Sequence, residues 1–216
     1  MAGQIYLYLS GIAGESTAER FTGLMDVTSF SVGNAMEVDM EARTGSGGGT
    51  SGAADPEDLS VDKKMDWASP VMLACCAVGA VIAQGRLFQC NVVNEDVLPV
   101  SDYAFGDAII TSVSLSGSGG AIPDESVTIN YGSIIWQYHC FNHMNPSECF
   151  GSKFREWSLI SASPLTADDN TQTAFGAGGG TNGGAPIGIG QFTYDACGGS
   201  GPAAFANVSD TPPGLV

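Results

Sequence analysis

The chain has 216 residues and a formal net charge of −16, from 23 acidic against 7 basic residues. That balance excludes general nucleic-acid binding, which needs a basic surface to displace counterions, and docking to an anionic membrane. The length suits one domain, or one domain with an appendage. The longest apolar stretch, PVMLACCAVGAVIA, falls short of the roughly 20 residues of a spanning helix, so membrane insertion is not expected.

The N-terminal MAGQIYLYLSGIAGES has no basic n-region and no full apolar h-region, so no classical signal peptide is expected. Gln4 to Ser10 alternates and is β-prone, which predicts a strand. GIAGES turns the chain, and Leu24 to Val32 predicts a second strand. Leu24, Phe30 and Val32 share one parity, while Met25, Val27, Ser29 and Ser31 share the other. Both faces are thus partly apolar, as in a barrel wall or at a subunit contact.

Asn34 to Asp58 is a long acidic excursion containing TGSGGGTSGAADPED. It reads either as a disordered surface loop or as a contact loop that orders on assembly. Leu59 to Lys63 predicts a short strand. A helix is expected over Ser69 to Val78, with Ser69 as N-cap, Pro70 at the first helical position and Gly79 as the stop. Its residues are apolar all round, so burial on several sides is expected, against a barrel end or between subunits.

Arg86 to Val93 alternates again, with Phe88, Cys90 and Val92 on one face. In Ala108 to Ser116, Ile109, Thr111, Val113 and Leu115 point one way and Ser112, Ser114 and Ser116 the other. SGSGGAIPDE makes a turn. Ser126 to Tyr138 reads as one long strand whose apolar parity changes near Gly132, which predicts a bulge. The order is that of a mainly β barrel or sandwich with one short helix. This domain covers residues 1–160, and residues 161–216 form a Gly-rich extension. Phe175, Ile187, Ile189, Phe192, Tyr194 and Phe205 are too apolar for a purely solvating tail, so the extension is expected to drape over the barrel or a neighbour.

No catalytic constellation emerges. Neither a nucleophile elbow nor a phosphate loop is present. Gly178, Gly180 and Gly183 spell GxGxxG, but without the strand and helix that a dinucleotide site needs. His139, Cys140, His143 and Cys149 form a metal-like cluster, yet neighbours on a strand point to opposite faces. Loop packing or a disulfide is preferred to zinc; the six cysteines read as buried thiols acting as small apolar residues, with a local Cys140–Cys149 bridge as the covalent alternative. With two histidines in the chain, acid–base catalysis has little material, and the scattered acids read as a solvated surface. No enzyme activity, cofactor or metal is expected.

Three ordered segments carry a family likeness. They are IYLYLSGIAGESTAERFTGLMDVTSFSVG at 5–33, EDLSVDKKMDWASPVMLACCAVGAVIAQGRLFQC at 57–90, and AIITSVSLSGSGGAIPDESVTINYGSIIWQY at 108–138. Together they resemble the Hcp tube proteins of bacterial type VI secretion. The resemblance implies a tight β-barrel of two sheets with a flanking helix, closed into hexameric rings that stack head-to-tail as a tube. It also implies a contractile sheath, a spike protein and small effectors as partners, with synthesis in the bacterial cytoplasm and export without a signal peptide. A hexamer would carry 6 × −16 = −96, so burial and screening must outweigh repulsion.

On this reading the ring-stacking residues are Met36, Val38, Met40 and Asp55, meeting Gly117, Ser118, Gly119 and Gly120. The lumen candidates are Ser29, Ser31, Ser112 and Ser114, because small polar side chains leave a channel open and wet. A one-residue register slip would invert that assignment. Cys140 to Trp157 and the Gly-rich tail depart from the family pattern. They open a second reading, a stand-alone extracellular tube stapled by disulfides.

Overall fold

The longest strand decides the architecture. A computed structural model describes residues 3–18, 21–39, 50–93, 96–141, 149–159 and 163–165. In chain order the elements are β1 Gly3–Leu9, β2 Met25–Val27, β3 Ser29–Ser31, β4 Asn34–Asp39, β5 Thr50–Pro56, β6 Leu59–Lys64, α1 Ser69–Val78, β7 Val81–Val93, β8 Asp96–Ser116, β9 Asp124–Asn130, β10 Ser133–Phe141, β11 Cys149–Ser158 and β12 Ser163–Leu165. β8 pairs with β7 from Asp96 to Ile109, with β10 from Ser101 to Gly106, and with β9 from Ile109 to Ser116. One half of the barrel runs β12-β11-β10-β8-β7-β1-β2, and the other runs β3-β6-β9-β8. Every named pairing is antiparallel. β8 passes between the halves at Asp107, whose φ of 51° is left-handed.

Both halves bury side chains in one core. Leu7, Leu9, Met25 and Val27 come from the first strands, Leu59, Val61, Val127 and Ile129 from the second half, and Leu87, Phe105 and Ile134 from the long strands. Met72 and Cys75 of α1 close the core. A smaller cluster of Tyr6, Phe21, Leu24, Phe88 and Cys90 covers another face of β1 and β7. There the Phe21 ring stacks on Tyr6 at 4.4 Å and 4°. The GES turn before it is tight: Gly14 N–H donates to Gly23 O and Ser16 N–H to Leu24 O. A Cβ on Gly14 would lie 2.3 Å from the Leu24 carbonyl oxygen, so only glycine fits.

Several expectations change. Leu24 to Val32 is two strands, not one. β2 pairs with β1 and β3 with β6, and Thr28 N–H donates to Asp62 O at 2.7 Å in the corner between them. The mixed parity has this origin: Met25 and Val27 are buried before the corner, whereas Ser29 and Ser31 are exposed after it. Ser126 to Tyr138 is likewise β9 and β10, split by a corner at Gly132, whose N–H donates to Gly106 O. In β8 the inward residues before the irregularity at Ile110/Ser112 are Ala108 and Ile110; after it the partly buried residue is Val113. The bulge reverses the parity expected for Ile109 and Thr111 and leaves Ser112 and Ser114 outward.

The helix spans the expected residues, but its N-cap is Ala68 and Ser69 is its first residue. The Ser69 hydroxyl is engaged elsewhere, as shown below. Gly79 ends the helix at φ 65°, a conformation that favours glycine. Burial is one-sided: Ser69, Met72 and Cys75 are covered, but Leu73 and Val78 are exposed. β12 pairs with β11, so the sheet reaches past residue 160. The extension expected to follow lies outside the described residues from 166 onward.

Candidate assembly surfaces

The register of the β3-β6-β9-β8 half builds a continuous polar face. Ser29 pairs with Asp62, Asp62 with Ser126, and Ser126 with Ser114. One step along, Ser31 pairs with Ser60, Ser60 with Thr128, and Thr128 with Ser112. Residues directly opposite in a ladder share a face, so the four expected serines share one, and all four are exposed. The Ser29 hydroxyl donates to Asp62 Oδ2 at 2.7 Å. Residues of the other parity, Val61 and Val127, are buried. The sequence reading missed Ser60, Asp62, Ser126 and Thr128 on the same face. The alternation of LSVDKK and DESVTIN was the signal for them.

The face is framed by polar contacts. At one end Asn130 Nδ2 donates to Asp58 Oδ1 at 2.7 Å. At the other, Lys64 Nζ lies 2.6 Å from Asp124 Oδ1, an exposed pair that contributes little to stability.

The Asn34 to Asp58 excursion contains a paired hairpin, β4–β5, rather than a loop throughout. Met36 lies opposite Ala54, Asp55 opposite Ala35, and Val38 opposite Ser51. Met36 is 55% exposed; Met40 lies outside the described residues. The hairpin base is fixed by Glu57 N–H donating to Gly33 O at 3.0 Å and by the Tyr131 hydroxyl donating to Glu57 O at 2.9 Å. Gly117, Ser118, Gly119 and Gly120 form the exposed turn between β8 and β9. In the β6–β9 ladder Leu59 lies opposite Ile129 and Lys64 opposite Asp124. The hairpin enters just before Leu59 and the turn just before Asp124. They therefore emerge at opposite ends of one sheet, about 17 Å apart along six residues of strand.

Two buried ionic clusters hold these parts. Lys63 Nζ lies 2.6 Å from Asp66 Oδ1 and 2.7 Å from Glu125 Oε2. Ser69 Oγ accepts from Lys63 at 3.2 Å and from Asp66 N–H at 3.0 Å, and donates to Glu125 Oε2 at 2.7 Å. In the second cluster Arg86 Nη2 and His139 Nε2 lie 3.0 and 3.1 Å from Asp102 Oδ2. Burial acts to raise the Asp102 pKa, but Arg86 and His139 together outweigh it and hold the carboxyl below its ordinary value. Lys63, Glu125, Arg86, Asp102 and His139 are at most 1% exposed, so these charges brace the fold and offer no open site to a solute. The scattered-acid reading missed both. Lys63, Asp66 and Ser69 belong to the second segment quoted above and Glu125 to the third, so the cluster joins two of them.

Among the described residues no group of three or more His, Cys, Asp or Glu side chains could hold a metal ion. His139 is buried while its neighbour Cys140 is exposed, and His143 lies outside the described residues. Cys140 carries a free thiol. The ladder sets Gly151 opposite Cys140 and Cys149 opposite Phe141, so the two cysteines of the expected bridge are not directly paired across the strands. Burial pushes the Cys75 and Cys90 thiols up, with Asp102 adding at Cys90; they behave as small apolar side chains.

The family model of the type VI secretion system effector Hcp matches residues 6–138. The chain belongs to the Hcp family. No curated protein matches the sequence. A solved type VI secretion system protein is similar at 27% identity and TM-score 0.70, over 76% of this chain and 99% of that one. Hcp1 from Salmonella typhimurium is similar at 24% identity and TM-score 0.59, over 76% and 100%. A type VI secretion system effector from Yersinia pestis shares 19% identity at TM-score 0.53, over 71% and 98%. These last two likenesses concern the fold. The Hcp match spans all three segments singled out in the sequence, save residue 5. The polar face, the hairpin, the turn and the Lys63 cluster all lie within it.

Proposed function

We propose that six copies of this Hcp-family chain close into a ring, and that rings stack head-to-tail into the hollow tube of a type VI secretion machine. The observation that carries this reading is the placement of the β4–β5 hairpin and the Gly117–Gly120 turn at opposite ends of one sheet. Contact between unlike ends is heterologous and propagates without closing. The small polar face of Ser29, Ser31, Ser112 and Ser114 suits a wet channel, which would shelter small effectors. Among the described residues β2 pairs only with β1, β3 only with β6 and β12 only with β11. These open edges are natural places for neighbouring subunits to join, since an unpaired edge recruits another chain.

The chain then works by geometry rather than turnover. Its partners are its own copies, a contractile sheath, a spike and small effectors, and it is exported from the bacterial cytoplasm. Negative-stain microscopy of the purified chain tests this. Annuli, and short tubes built from them, are expected; uniform single-chain particles at high concentration and moderate salt would overturn the proposal.

A further inference from the structure

We infer that residues 166–216 return as a strap across the outward face of β10, β8 and β7, where they roof the buried Arg86, Asp102 and His139 cluster. The inference concerns the single chain and does not depend on ring formation.

The register places the start of this segment beside the face it would cover. Leu165 of β12 lies opposite Glu156, Glu156 opposite Ile135, Ile135 opposite Ala104, and Ala104 opposite Arg86. These positions form one row across the sheet. The next row sets Gln137 opposite Asp102 and Asp102 opposite Phe88. His139 follows Gln137 on the same face. Residues of the other parity, Leu87 and Ile134, enter the shared core, so these rows face outward. An outward sheet face ordinarily meets water. Here Ala104 and Asp102 are 0% exposed, His139 1%, Ile135 5% and Gln137 9%.

Among the described residues the cover on this face is incomplete. Phe21 stacks on Tyr6 and meets the Phe88 ring at 5.3 Å, within the small cluster that also holds Leu24 and Cys90. Ala104 and Ile135 are buried yet belong neither to that cluster nor to the main core. Their burial is that of one chain by itself, so a neighbouring copy is not the cover. Asp102 Oδ1 and Gln137 Oε1 are also buried without a hydrogen-bond donor, a cost that backbone N–H groups laid over them would relieve.

Residues 166–216 suit the position. They continue from Leu165, at the end of the row, and β7 lies four strands from β12, about 19 Å away. A few extended residues span that distance. Phe175, Ile187, Ile189, Phe192, Tyr194 and Phe205 supply apolar cover, and the glycines between them let the backbone approach a sheet closely. The segment contains no Lys, Arg or His, so it brings no cation beside Arg86. The connection 142–148 is a poorer roof. It starts past Phe141 and must return to Cys149, whereas Ile135 lies about 20 Å back along β10.

The two halves of the barrel share one core, so their outward faces point away from each other. The strap therefore lies on the far side of the barrel from Ser29 and Ser112 and leaves that polar face open.

The test uses the full chain. In methyl-labelled wild type, nuclear Overhauser contacts are expected from the Ile135 and Ala104 methyls to residues within 166–216. In a mixture of labelled and unlabelled copies these contacts should stay within one chain. A full-length variant combining Ile187→Ser, Ile189→Ser, Phe192→Ser and Tyr194→Ser should keep its β circular dichroism. Its His139, read by peptide mass, should react with diethyl pyrocarbonate at least about tenfold faster, as expected when a local cover opens. Ile135 contacts only to 142–148, or only between chains, would overturn the strap, as would unchanged His139 reactivity in the folded variant. If that variant fails to fold, the wild-type contacts decide alone.

Discussion

Lys63 Nζ lies 2.7 Å from Glu125 Oε2 with both side chains fully buried, and this ion pair joins β6 and the entry to α1 with the start of β9. Removing one partner strands the other in a dry site. Lys63→Met alone, or Glu125→Leu alone, is expected to cost about 3–5 kcal/mol. The double variant should recover much of that loss, because no unpaired charge remains in the pair. Urea unfolding of the three variants checks this, and a strictly additive double variant would show that the two residues do not interact.

Asp102 gives the fold an acid limit. Its folded pKa lies below the ordinary carboxylate value, so the unfolded chain takes up the proton first. The stabilisation is fully present above the ordinary value near 4 and is lost as pH falls through the folded one. The urea midpoint should drop steeply in that acid range. Asp102→Asn should be less stable at neutral pH, with a flatter acid limb. Equal pH slopes in the two proteins would refute the assignment.

Tyr6 and Tyr131 give an alkaline limit. Burial first, with Asp26 and Cys90 near Tyr6 and with Asp58 and Glu57 near Tyr131, raises each to about 12 from 10.0. Here the folded state keeps its proton longer. The contribution is complete below pH 10 and fades as pH rises through about 12. Ultraviolet difference titration should show these tyrosines ionising late in the folded protein. Tyr131→Phe should also speed hydrogen exchange at the hairpin base, since its hydroxyl no longer donates to Glu57 O.

Gly14 is expected to tolerate no side chain. A Cβ there meets backbone of Leu24, 2.3 Å away at its carbonyl oxygen, and backbone yields less readily than a rotamer. Gly14→Ala should lower stability by roughly 1–3 kcal/mol and loosen the Phe21–Tyr6 stack, visible as greater exposure of the aromatic rings in near-ultraviolet circular dichroism. An unchanged melting temperature would contradict the close packing.

Alternation was legible wherever one face meets the core, as in Gln4 to Ser10 and Leu59 to Lys63. It placed Ser29, Ser31, Ser112 and Ser114 on one exposed face, even though β8 switches parity at Ile110/Ser112. The corner at Thr28 was not legible, and the one at Gly132 showed only as a parity change read as a bulge, because each is specified by a carbonyl partner from a distant strand, Asp62 O and Gly106 O. The β4–β5 hairpin escaped for another reason: TSGAADP lacks β-branched and aromatic residues beyond its first threonine, and its register comes from pairing with β4. Ser69 looked like a cap because its type favours caps, but its hydroxyl is drawn inward to Glu125. The buried charges stayed hidden since Arg86, Asp102 and His139 meet only when β7, β8 and β10 lie side by side.

Native mass spectrometry of the purified, full-length chain bears most directly on whether these barrels join edge to edge. The account predicts a dominant species of six copies, with higher species at whole multiples of that mass as salt is raised. A spectrum holding only the single chain across the same range of concentration and salt would contradict it.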